Sequence, residues 1–245
     1  MEGFLNSWYG ILIILTFDIV ALIAVIAITY RWFFKRVLDL IVSAVCLALT
    51  SPLFLVVFIQ GKAFQKKHEG VLPSLFTFQK RVTKKEKVVN LCVFQTRDSD
   101  GDILGSYGKW LEDTGLFKLP SLLDVFFGRL SFIGVKALLP SEAEFIEDDV
   151  EKDRFIVRAG LIHPLVCVGD KQTTYEEMLL EERKYAWRFG FFGDLKIFFV
   201  WLLNKIRAEG TGYMGETLEK TYGKYLFDEE RITKEDYEVA LELDE

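Results

Sequence analysis

The strongest constraint in the sequence is a long apolar stretch close to its N-terminus. Residues 10–30 read GILIILTFDIVALIAVIAITY, roughly the 20 positions that a helix needs to cross the ~30 Å hydrocarbon core of a bilayer. The run is too long for a cleaved signal peptide, no basic segment precedes it, and no small-residue cleavage site follows. Residues 1–32 are therefore predicted to form an N-terminal transmembrane helix.

The charges around and within this helix predict its orientation and raise one question. No Lys or Arg precedes it, whereas Arg31 follows at once, so the positive-inside rule places residue 31 in the cytoplasm and the N-terminus outside. Asp18 falls near the middle, where a carboxylate costs ~2.5–3.5 kcal/mol on insertion scales. Either Asp18 is protonated in a very apolar helix or it contacts another membrane helix, and both interpretations remain open.

A second apolar stretch, residues 37–60, is also long enough to span a bilayer. Basic residues flank it on both sides: Lys35, Arg36, Lys62, Lys66 and Lys67. A full crossing would put one basic group on the wrong side. Pro52, directly after Ser51, removes a backbone hydrogen bond and kinks a helix. We therefore expect residues 33–60 to form a re-entrant membrane hairpin, helix-break-helix, with both ends cytoplasmic.

The remaining sequence predicts a water-exposed domain at residues 61–227 and an acidic tail at residues 228–245. Apolar residues make up 51% of the chain and charged residues 27%, a mixture that suits a membrane anchor joined to a soluble domain. The fold class is α/β, mainly helical and membrane-associated. A net charge of −6 argues against non-specific nucleic-acid binding, which needs a basic face. The three cysteines are too few and too widely spaced for a disulfide framework or a zinc cluster.

Local patterns place elements in this domain. SLFTFQKRV and KVVNLCVFQT read as two strands around the basic turn TKKEK, and SYGKWLEDTG, LPSLLDVFFG and TTYEEMLLEERKYAWRF read as helices. Residues 141–156 are predicted as one acidic helix with a capping box of Ser141 and Glu144. GDLKIFFVWLLNKIR, ending at Arg207, is either a core helix or an interfacial helix on the bilayer. The tail is expected to be partly helical, as a solvated face or a docking segment.

Five motifs in order carry a resemblance to a known family. The first, KRVLDLIVSAVCLALTSPLF, includes Asp39, Ser51 and Pro52; the others are FQKRV, LPSLLDVFFGRLSFIG, VRAGL and FGFFGDLKIFF. Together they resemble the bacterial sugar transferases, the monotopic polyprenyl-phosphate phosphoglycosyl transferases, over residues 33–207. The resemblance implies a protein of the bacterial inner membrane whose main domain is cytoplasmic. It also implies transfer of a sugar-1-phosphate from a nucleotide sugar to undecaprenyl phosphate, with an Asp nucleophile, an adjacent Glu and Mg²⁺.

The chain departs from the family where this chemistry would occur. The family's Asp-Glu pair corresponds to Phe117 and Lys118 in GLFKLP. Phenylalanine has no lone pair for attack on phosphorus, and an ammonium repels a metal ion. Two nearby carboxylates, Asp113 and Asp124, are possible substitutes. Asp124 takes the place of a family Asn and is more readily explained as a structural hydrogen-bonding group.

The substrate pocket is degenerate by the same comparison. Two family cations are lost at Val93 and Gln95, and Lys136 stands where the family has a bidentate Arg. The positions that correspond to the family's substrate-facing residues are Gln79, Arg81, Gln95, Lys136 and Arg158. Losing the two cations predicts weak diphosphate binding, and no metal site is predicted.

The leading hypothesis is a pseudo-enzyme that acts as a membrane-bound binding or scaffold subunit of an envelope-associated complex. It would need no cofactor, and its partners would be membrane lipid and another protein or a second copy. The alternative is an active phosphoglycosyl transferase with displaced catalytic groups, which would require Mg²⁺.

Overall fold

The computed structural model of the chain describes residues 7–67, 74–98, 101–146, 148–167, 174–207 and 221–244. The chain begins with helix α1, Trp8–Thr29, whose N-terminus is capped by the Ser7 side chain. A short π-helical turn, Tyr30–Phe34, leads into helix α2, Lys35–Lys67. Both α1 and α2 are long and apolar enough to cross a membrane. Nearly all of the described α1 side chains are exposed, as expected of a helix whose surroundings are lipid.

Helix α2 continues through Ser51-Pro52, where the sequence predicts a break between two helices. It is one helical segment with Pro52 inside it, and it continues beyond the predicted boundary at residue 60. A proline leaves the carbonyl four residues earlier without its usual N–H donor. Here that carbonyl belongs to Ala48, and the Ser51 hydroxyl donates to it at 2.8 Å. Ser51 therefore supplies the hydrogen bond that Pro52 cannot, and the helix continues through the proline.

The two predicted strands are confirmed. Strand β1, Phe76–Thr83, pairs antiparallel with strand β2, Lys87–Phe94, around a 3₁₀ turn at Lys84–Glu86. In their register Gln79 lies opposite Leu91. Because side chains alternate between the two faces of a strand, the odd-numbered residues of this hairpin share one face.

The helices of the domain agree with the prediction at four places and differ at one. The confirmed helices are α3 Gly105–Thr114, α4 Ser121–Phe126, α7 Tyr175–Arg188 and α8 Phe191–Ile206. The predicted acidic helix at residues 141–156 is wrong. It consists of α5 Pro140–Glu144, α6 Asp149–Lys152 and a 3₁₀ turn Asp153–Ile156. The helix ends at Glu144 because Ile146 and Phe155 both pack in one apolar core.

The capping box of that segment also differs from the prediction. The predicted pair was Ser141 and Glu144. Instead, the carboxylate of Glu142 accepts a 2.8 Å hydrogen bond from the Leu139 N–H, two residues earlier than predicted, because Pro140 already occupies the first helical turn.

A second, parallel pair of short strands lies beside α4. Strand β3, Ser131–Ile133, pairs with strand β4, Gly160–Ile162. A Cβ atom added to Gly160 would lie 2.1 Å from the backbone nitrogen of Gly134. The glycine in the VRAGL motif is therefore required for the close approach of the two chain segments.

The C-terminal residues form part of the same body. Helix α9, Tyr222–Asp228, helix α10, Lys234–Leu241, and a 3₁₀ turn Glu242–Asp244 pack on the domain. Asp244 accepts hydrogen bonds from the Ser141 hydroxyl at 2.6 Å and the Ser141 N–H at 2.9 Å. Helix α9 continues across the predicted boundary at residue 227, and the tail docks on its own chain.

Helix α2 contacts the domain along both of its halves. Near its start, Lys35 and Asp39 bond to residues of α8 and β3. In its second half Val57 packs in one core cluster with Leu75 and Tyr107. The described domain is thus attached to α2 on both sides of Pro52.

Candidate functional site

A cavity of about 340 Å³ lies between the hairpin, the turn before α4, strand β4 and α7. It brings together five residues that the sequence singled out: Gln79, Arg81, Phe117, Lys118 and Lys136. His163, which was not among the predicted site residues, also lines it. None of the described residues that line the cavity is an Asp or a Glu.

Strands β1 and β2 form one wall of the cavity with the side chains on one face of their hairpin. Gln79, Arg81, Leu91 and Val93 are all odd-numbered and line the cavity. The Arg81 guanidinium donates to the Gln79 side-chain oxygen at 3.1 Å. Burial lowers the pKa of Arg81, although the nearby carboxylates of Glu142 and Asp244 oppose the shift. Among the described residues, no carboxylate lies within ion-pair distance of Arg81.

Phe117 and Lys118, which the resemblance matches to the family's two acids, lie in the opposite wall. Gly115, with a φ of 71°, ends α3 and starts the 3₁₀ turn Leu116–Lys118. Phe117 packs at the edge of an apolar cluster, and the Lys118 ammonium lies 5.3 Å from the centre of its ring. In the part of the chain that the structure describes, this ring is the Lys118 ammonium's only assigned partner. This wall of the cavity therefore presents an aromatic ring and a cation.

Lys118 is exposed, yet its surroundings are unfavourable for a charge. Partial burial lowers its pKa first, and repulsion from Arg81, Lys205 and Lys136 lowers it further. Lys136 is better placed, because its ammonium lies 3.2 Å from a Glu142 oxygen. The cavity thus holds three basic side chains, of which one is paired with a carboxylate.

Glu182 is fully buried next to the cavity and contacts two of its lining residues. Glu182 accepts from the Lys136 N–H at 2.6 Å, contacts Nε2 of His163, and lies 2.9 Å from the Arg154 guanidinium. Burial alone would raise the pKa of Glu182, but the Arg154 charge and the His163 hydrogen bond outweigh it and hold that pKa below its usual value. The Nδ1 atom of His163 accepts from the Leu165 N–H at 3.2 Å, so its proton sits on Nε2 and faces Glu182.

The sequence analysis missed Glu182, although a signal was available. Glu182 follows Met178 by four residues and Leu179 by three, so it falls on the apolar face of α7. A carboxylate in such a position needs a buried partner. The partner, Arg154, lies in a segment that was predicted incorrectly.

Four predicted residues lie outside the cavity. Gln95 donates to the Arg97 carbonyl at 2.9 Å, and Arg158 lines a separate, smaller depression with Lys84. Asp113 is exposed near the end of α3. Asp124 is buried, and its oxygens bond the Cys92 N–H at 3.0 Å and face Arg129 at 2.7 Å.

Burial raises the pKa of Asp124, and its bonds to the Cys92 N–H and Arg129 oppose that shift. Both of its oxygens are occupied by structural partners. The geometry agrees with a structural hydrogen-bonding group, which does not face the cavity.

The polar residues at the start of α2 form a second site, which we call the docking network. Its members are Tyr30, Lys35, Asp39, Ser131, Tyr185 and Asp194. The Asp194 carboxylate accepts from Tyr30 and Lys35 at 2.6 Å and from Tyr185 at 2.8 Å. Asp39 accepts from the Ser131 hydroxyl at 2.7 Å and the Phe132 N–H at 3.0 Å.

Arg36 continues this attachment next to the network. Its guanidinium donates to the Val125 and Phe126 carbonyls at the end of α4. Three residues of the predicted membrane hairpin, Lys35, Arg36 and Asp39, therefore hold α2 against the domain. The other two, Ser51 and Pro52, are exposed. Asp194 comes from the late Asp-Leu-Lys motif, to which the sequence analysis assigned no role.

A comparison with protein families matches residues 30–207 to the family described as bacterial sugar transferase. The match covers well over half of the chain. The chain belongs to the bacterial sugar transferase family. A comparison with curated proteins gives no match. The matched segment includes the docking network and the cavity, while α1, α9 and α10 lie outside it.

The Mg²⁺ that the family resemblance implies does not fit this cavity. Mg²⁺ takes oxygen ligands, usually including carboxylates. The described lining residues offer no carboxylate, and three of them, Arg81, Lys118 and Lys136, carry positive charge that would repel a cation. Across the described residues no group of three or more His, Cys, Asp or Glu side chains is placed to hold a metal ion.

Proposed function

We propose that the chain is a catalytically inactive bacterial sugar transferase that serves as a membrane-bound binding or scaffold subunit of an envelope-associated complex. The observation that carries this proposal is the wall of the cavity formed by Phe117 and Lys118. Attack on a phosphorus atom needs a lone pair, which a phenyl ring lacks. An ammonium next to it would repel Mg²⁺ rather than bind it.

The two possible substitutes are poorly placed for rescue. Asp124 is held by the Cys92 N–H and Arg129 behind the cavity wall. Asp113 is exposed on α3 and does not line the cavity. An active site would require one of these carboxylates to leave its observed position.

Turnover tests the proposal directly. The full chain in nanodiscs would be incubated with Mg²⁺, undecaprenyl phosphate and a panel of nucleotide sugars, with an active family member as the positive control. We expect no release of nucleoside monophosphate. Release above the background of empty discs would favour the alternative, an active phosphoglycosyl transferase. Release that persists in the Asp113→Asn and Asp124→Asn variants would place the chemistry on residues not identified here.

The membrane placement in this proposal keeps both ends of α2 on the cytoplasmic side. A straight helix of this length is about 50 Å long, so a crossing would put its ends on opposite sides of a ~30 Å core. The first half bonds to Asp194, and the second half packs on Leu75 and Tyr107. A single water-exposed domain reaches both halves readily only if both ends lie on one side, which supports a re-entrant arrangement.

The orientation of α1 follows the same reasoning. Arg31, just after α1, donates to the Ala186 carbonyl at 3.1 Å and stacks on the Phe189 ring. These contacts support a cytoplasmic position for Arg31, with the N-terminus outside the inner membrane.

Cysteine labelling tests this topology. Single cysteines at positions 31 and 67, in a cysteine-free background, would be treated with a membrane-impermeant reagent in intact spheroplasts. A cysteine in place of Trp8 provides the external control. We expect label at position 8 only, and label at position 67 would contradict the re-entrant arrangement.

A protein partner within the membrane is the remaining part of the proposal. Asp18 is exposed on α1 and makes no assigned hydrogen bond or ion pair with the described residues. If another chain supplies its partner, Asp18→Leu should leave insertion intact and reduce co-purification of that chain from native membranes. Thr16→Leu, on the same helix, is the control. Unchanged co-purification would favour a protonated, unpaired Asp18.

A further inference from the structure

Four basic side chains lie close together near the end of α1, outside the cavity. Arg31, Lys84 and Arg158 line one depression of about 50 Å³, and Lys85 is next to Lys84 in the turn between β1 and β2. We call these four residues the basic patch. Arg158 is the one member that the resemblance matches to the family's substrate-facing positions, and here it lies in the depression rather than in the cavity.

The positive charges of the basic patch are not neutralised within the chain. Among the described residues, none of the four side chains forms an ion pair. Partial burial and then repulsion from Arg158 and Lys85 lower the pKa of Lys84. The Arg31 guanidinium donates to a backbone carbonyl and stacks on an aromatic ring, and neither partner carries a charge.

The carboxylates around the basic patch have other partners or are too few. Asp39 lines the same depression, but it is buried and accepts from the Ser131 hydroxyl and the Phe132 N–H. Asp153 belongs to a 3₁₀ turn that contacts the turn of the β1–β2 hairpin, and it faces Arg183 at 3.2 Å. Glu86 is exposed in the hairpin turn itself. One such carboxylate leaves the patch with an excess of positive charge.

The position of the basic patch indicates what it contacts. Helix α1 has 22 residues, which make a helix about 33 Å long, close to the ~30 Å hydrocarbon core of a bilayer. Arg31 follows the last residue of α1 by two positions, so it lies at the level of the lipid headgroups. Because Lys84 and Arg158 share a depression with Arg31, they lie next to the same membrane surface.

The charge of the whole chain makes a local contact necessary. The chain carries a net charge of −6, and the cytoplasmic leaflet is also negative, so the two repel each other on average. We propose that the basic patch binds anionic phospholipid headgroups of the cytoplasmic leaflet and holds the tip of the β1–β2 hairpin against the membrane. This inference rests on the proposed function only for the cytoplasmic position of Arg31.

The conformation of the hairpin turn is consistent with a role for its lysines. Lys85 and Glu86 have φ angles of 59° and 54°, in the left-handed region that favours glycine or asparagine. Both Lys84 and Lys85 are exposed. Neither backbone preference nor packing therefore explains why lysines occupy this turn.

Fluorescence quenching by lipid tests the contact. A labelled cysteine would replace Val88, which is 49% exposed at the start of β2, in a cysteine-free full chain. Nanodiscs of phosphatidylcholine, with or without phosphatidylglycerol, would contain a lipid that carries a spin label on its headgroup. We expect stronger quenching with phosphatidylglycerol, and high salt should remove the increase because it screens the charges.

A double variant assigns this response to the basic patch. Each basic residue near an anionic membrane contributes about fivefold to binding. Lys84→Gln with Lys85→Gln should therefore lower the ratio of docked to undocked hairpin by about tenfold or more. The matched control, Lys109→Gln with Lys234→Gln, removes the same charge from exposed positions on α3 and α10.

Thermal unfolding provides a measurement without the label. Phosphatidylglycerol should raise the Tm of the wild type and of the control more than that of the patch variant, because binding to the folded state stabilises it. The proposal fails if quenching does not depend on phosphatidylglycerol, or if the control variant reduces it as much as the patch variant. An acidic protein that the patch variant no longer co-purifies, without a response to phosphatidylglycerol, would assign the patch to a protein partner and would also overturn the proposal.

These outcomes can be distinguished from a failure of the proposed function. Cysteine labelling at position 31 reports independently whether Arg31 is cytoplasmic. A cytoplasmic Arg31 with no response to phosphatidylglycerol would refute the basic patch alone. Turnover in the nanodisc assay would overturn the inactive state of the cavity and leave the membrane contact of the patch unaffected.

Discussion

Lys35 in the docking network and Lys118 in the cavity are lysines in opposite surroundings. The Lys35 side chain is 14% exposed and lies within 2.6 Å of Asp194 and 3.0 Å of the Ile133 carbonyl. Lys118 has an aromatic ring as its assigned partner and three cations as neighbours. A charge that is paired within the protein contributes to holding the domain on α2. A charge that is left without a counter-ion and close to other cations lowers stability.

Breaking the buried ion pair of Glu182 and Arg154 should have the largest effect on the free energy of unfolding. Glu182→Gln keeps a hydrogen-bond acceptor for His163 but leaves the buried Arg154 charge without a counter-ion. Loss of one partner of a buried ion pair typically costs about 3–5 kcal/mol. Denaturant unfolding would measure the change in the free energy of unfolding, with the exposed neighbour variant Glu181→Gln as the control. A change below about 1 kcal/mol would show that Arg154 has another partner.

Asp194→Ala should have the next largest effect. It removes the acceptor shared by Tyr30, Lys35 and Tyr185, and hydrogen bonds to a charged group contribute about 1.5–3 kcal/mol each. We expect a loss of about 3 kcal/mol and faster proteolysis of the domain in nanodiscs, because α2 is less firmly attached. Asp113→Ala, at an exposed site, should change neither. Equal stability of Asp194→Ala and wild type would mean that the network does not hold α2.

The pH dependence of stability should reveal the same buried pair. The pKa of Glu182 is held below its usual value of 4.5, so its stabilisation is fully present above that value. As pH falls below about 4.5 the unfolded chain binds the proton first, and the stabilisation is lost until the folded-state pKa is reached. The difference in unfolding free energy between wild type and Glu182→Gln should therefore shrink on acidification. A constant difference from pH ~7 to ~3 would contradict the lowered pKa.

Lys118→Gln should slightly increase the free energy of unfolding, whereas the preceding variants lower it. It removes repulsion from Arg81 and Lys136, so the ligand-free protein should gain stability. Because Lys118 is more than one-third exposed, solvent screening limits the gain to about 0.5 kcal/mol. Scanning calorimetry against Lys109→Gln would measure it. A loss of stability would indicate that Lys118 has a favourable partner in the folded protein.

Restoring the family's two acids should have no measurable effect on turnover. Phe117→Asp with Lys118→Glu would return the two acids that the resemblance implies, but Val93 and Gln95 would still stand where the resemblance implies two cations, and groups that act together do not contribute independently. The nanodisc assay described above measures the result. Turnover by the double variant would show that the lesion is confined to two residues.

Several local features could be predicted from the sequence because their patterns are short-range. Alternation identified the hairpin, and apolar periodicity and caps identified α3, α4, α7 and α8. The resemblance also directed attention to Phe117 and Lys118. The segment at residues 141–156 failed because Ile146 and Phe155 reach a common core only if the helix ends early, and no local pattern reports on that core.

The sequence by itself determined that two long apolar segments precede a small α/β domain, and its motifs carry the resemblance that matches Phe117 and Lys118 to the family's two acids. These conclusions follow from composition, periodicity and motif order, all of which are properties of neighbouring residues. Only the tertiary structure decided that Lys118 shares a cavity with Arg81 and Lys136, and that Asp194 binds Lys35. The reason is physical: pairing between distant residues depends on how the elements pack, and packing is set by the whole core rather than by any one segment.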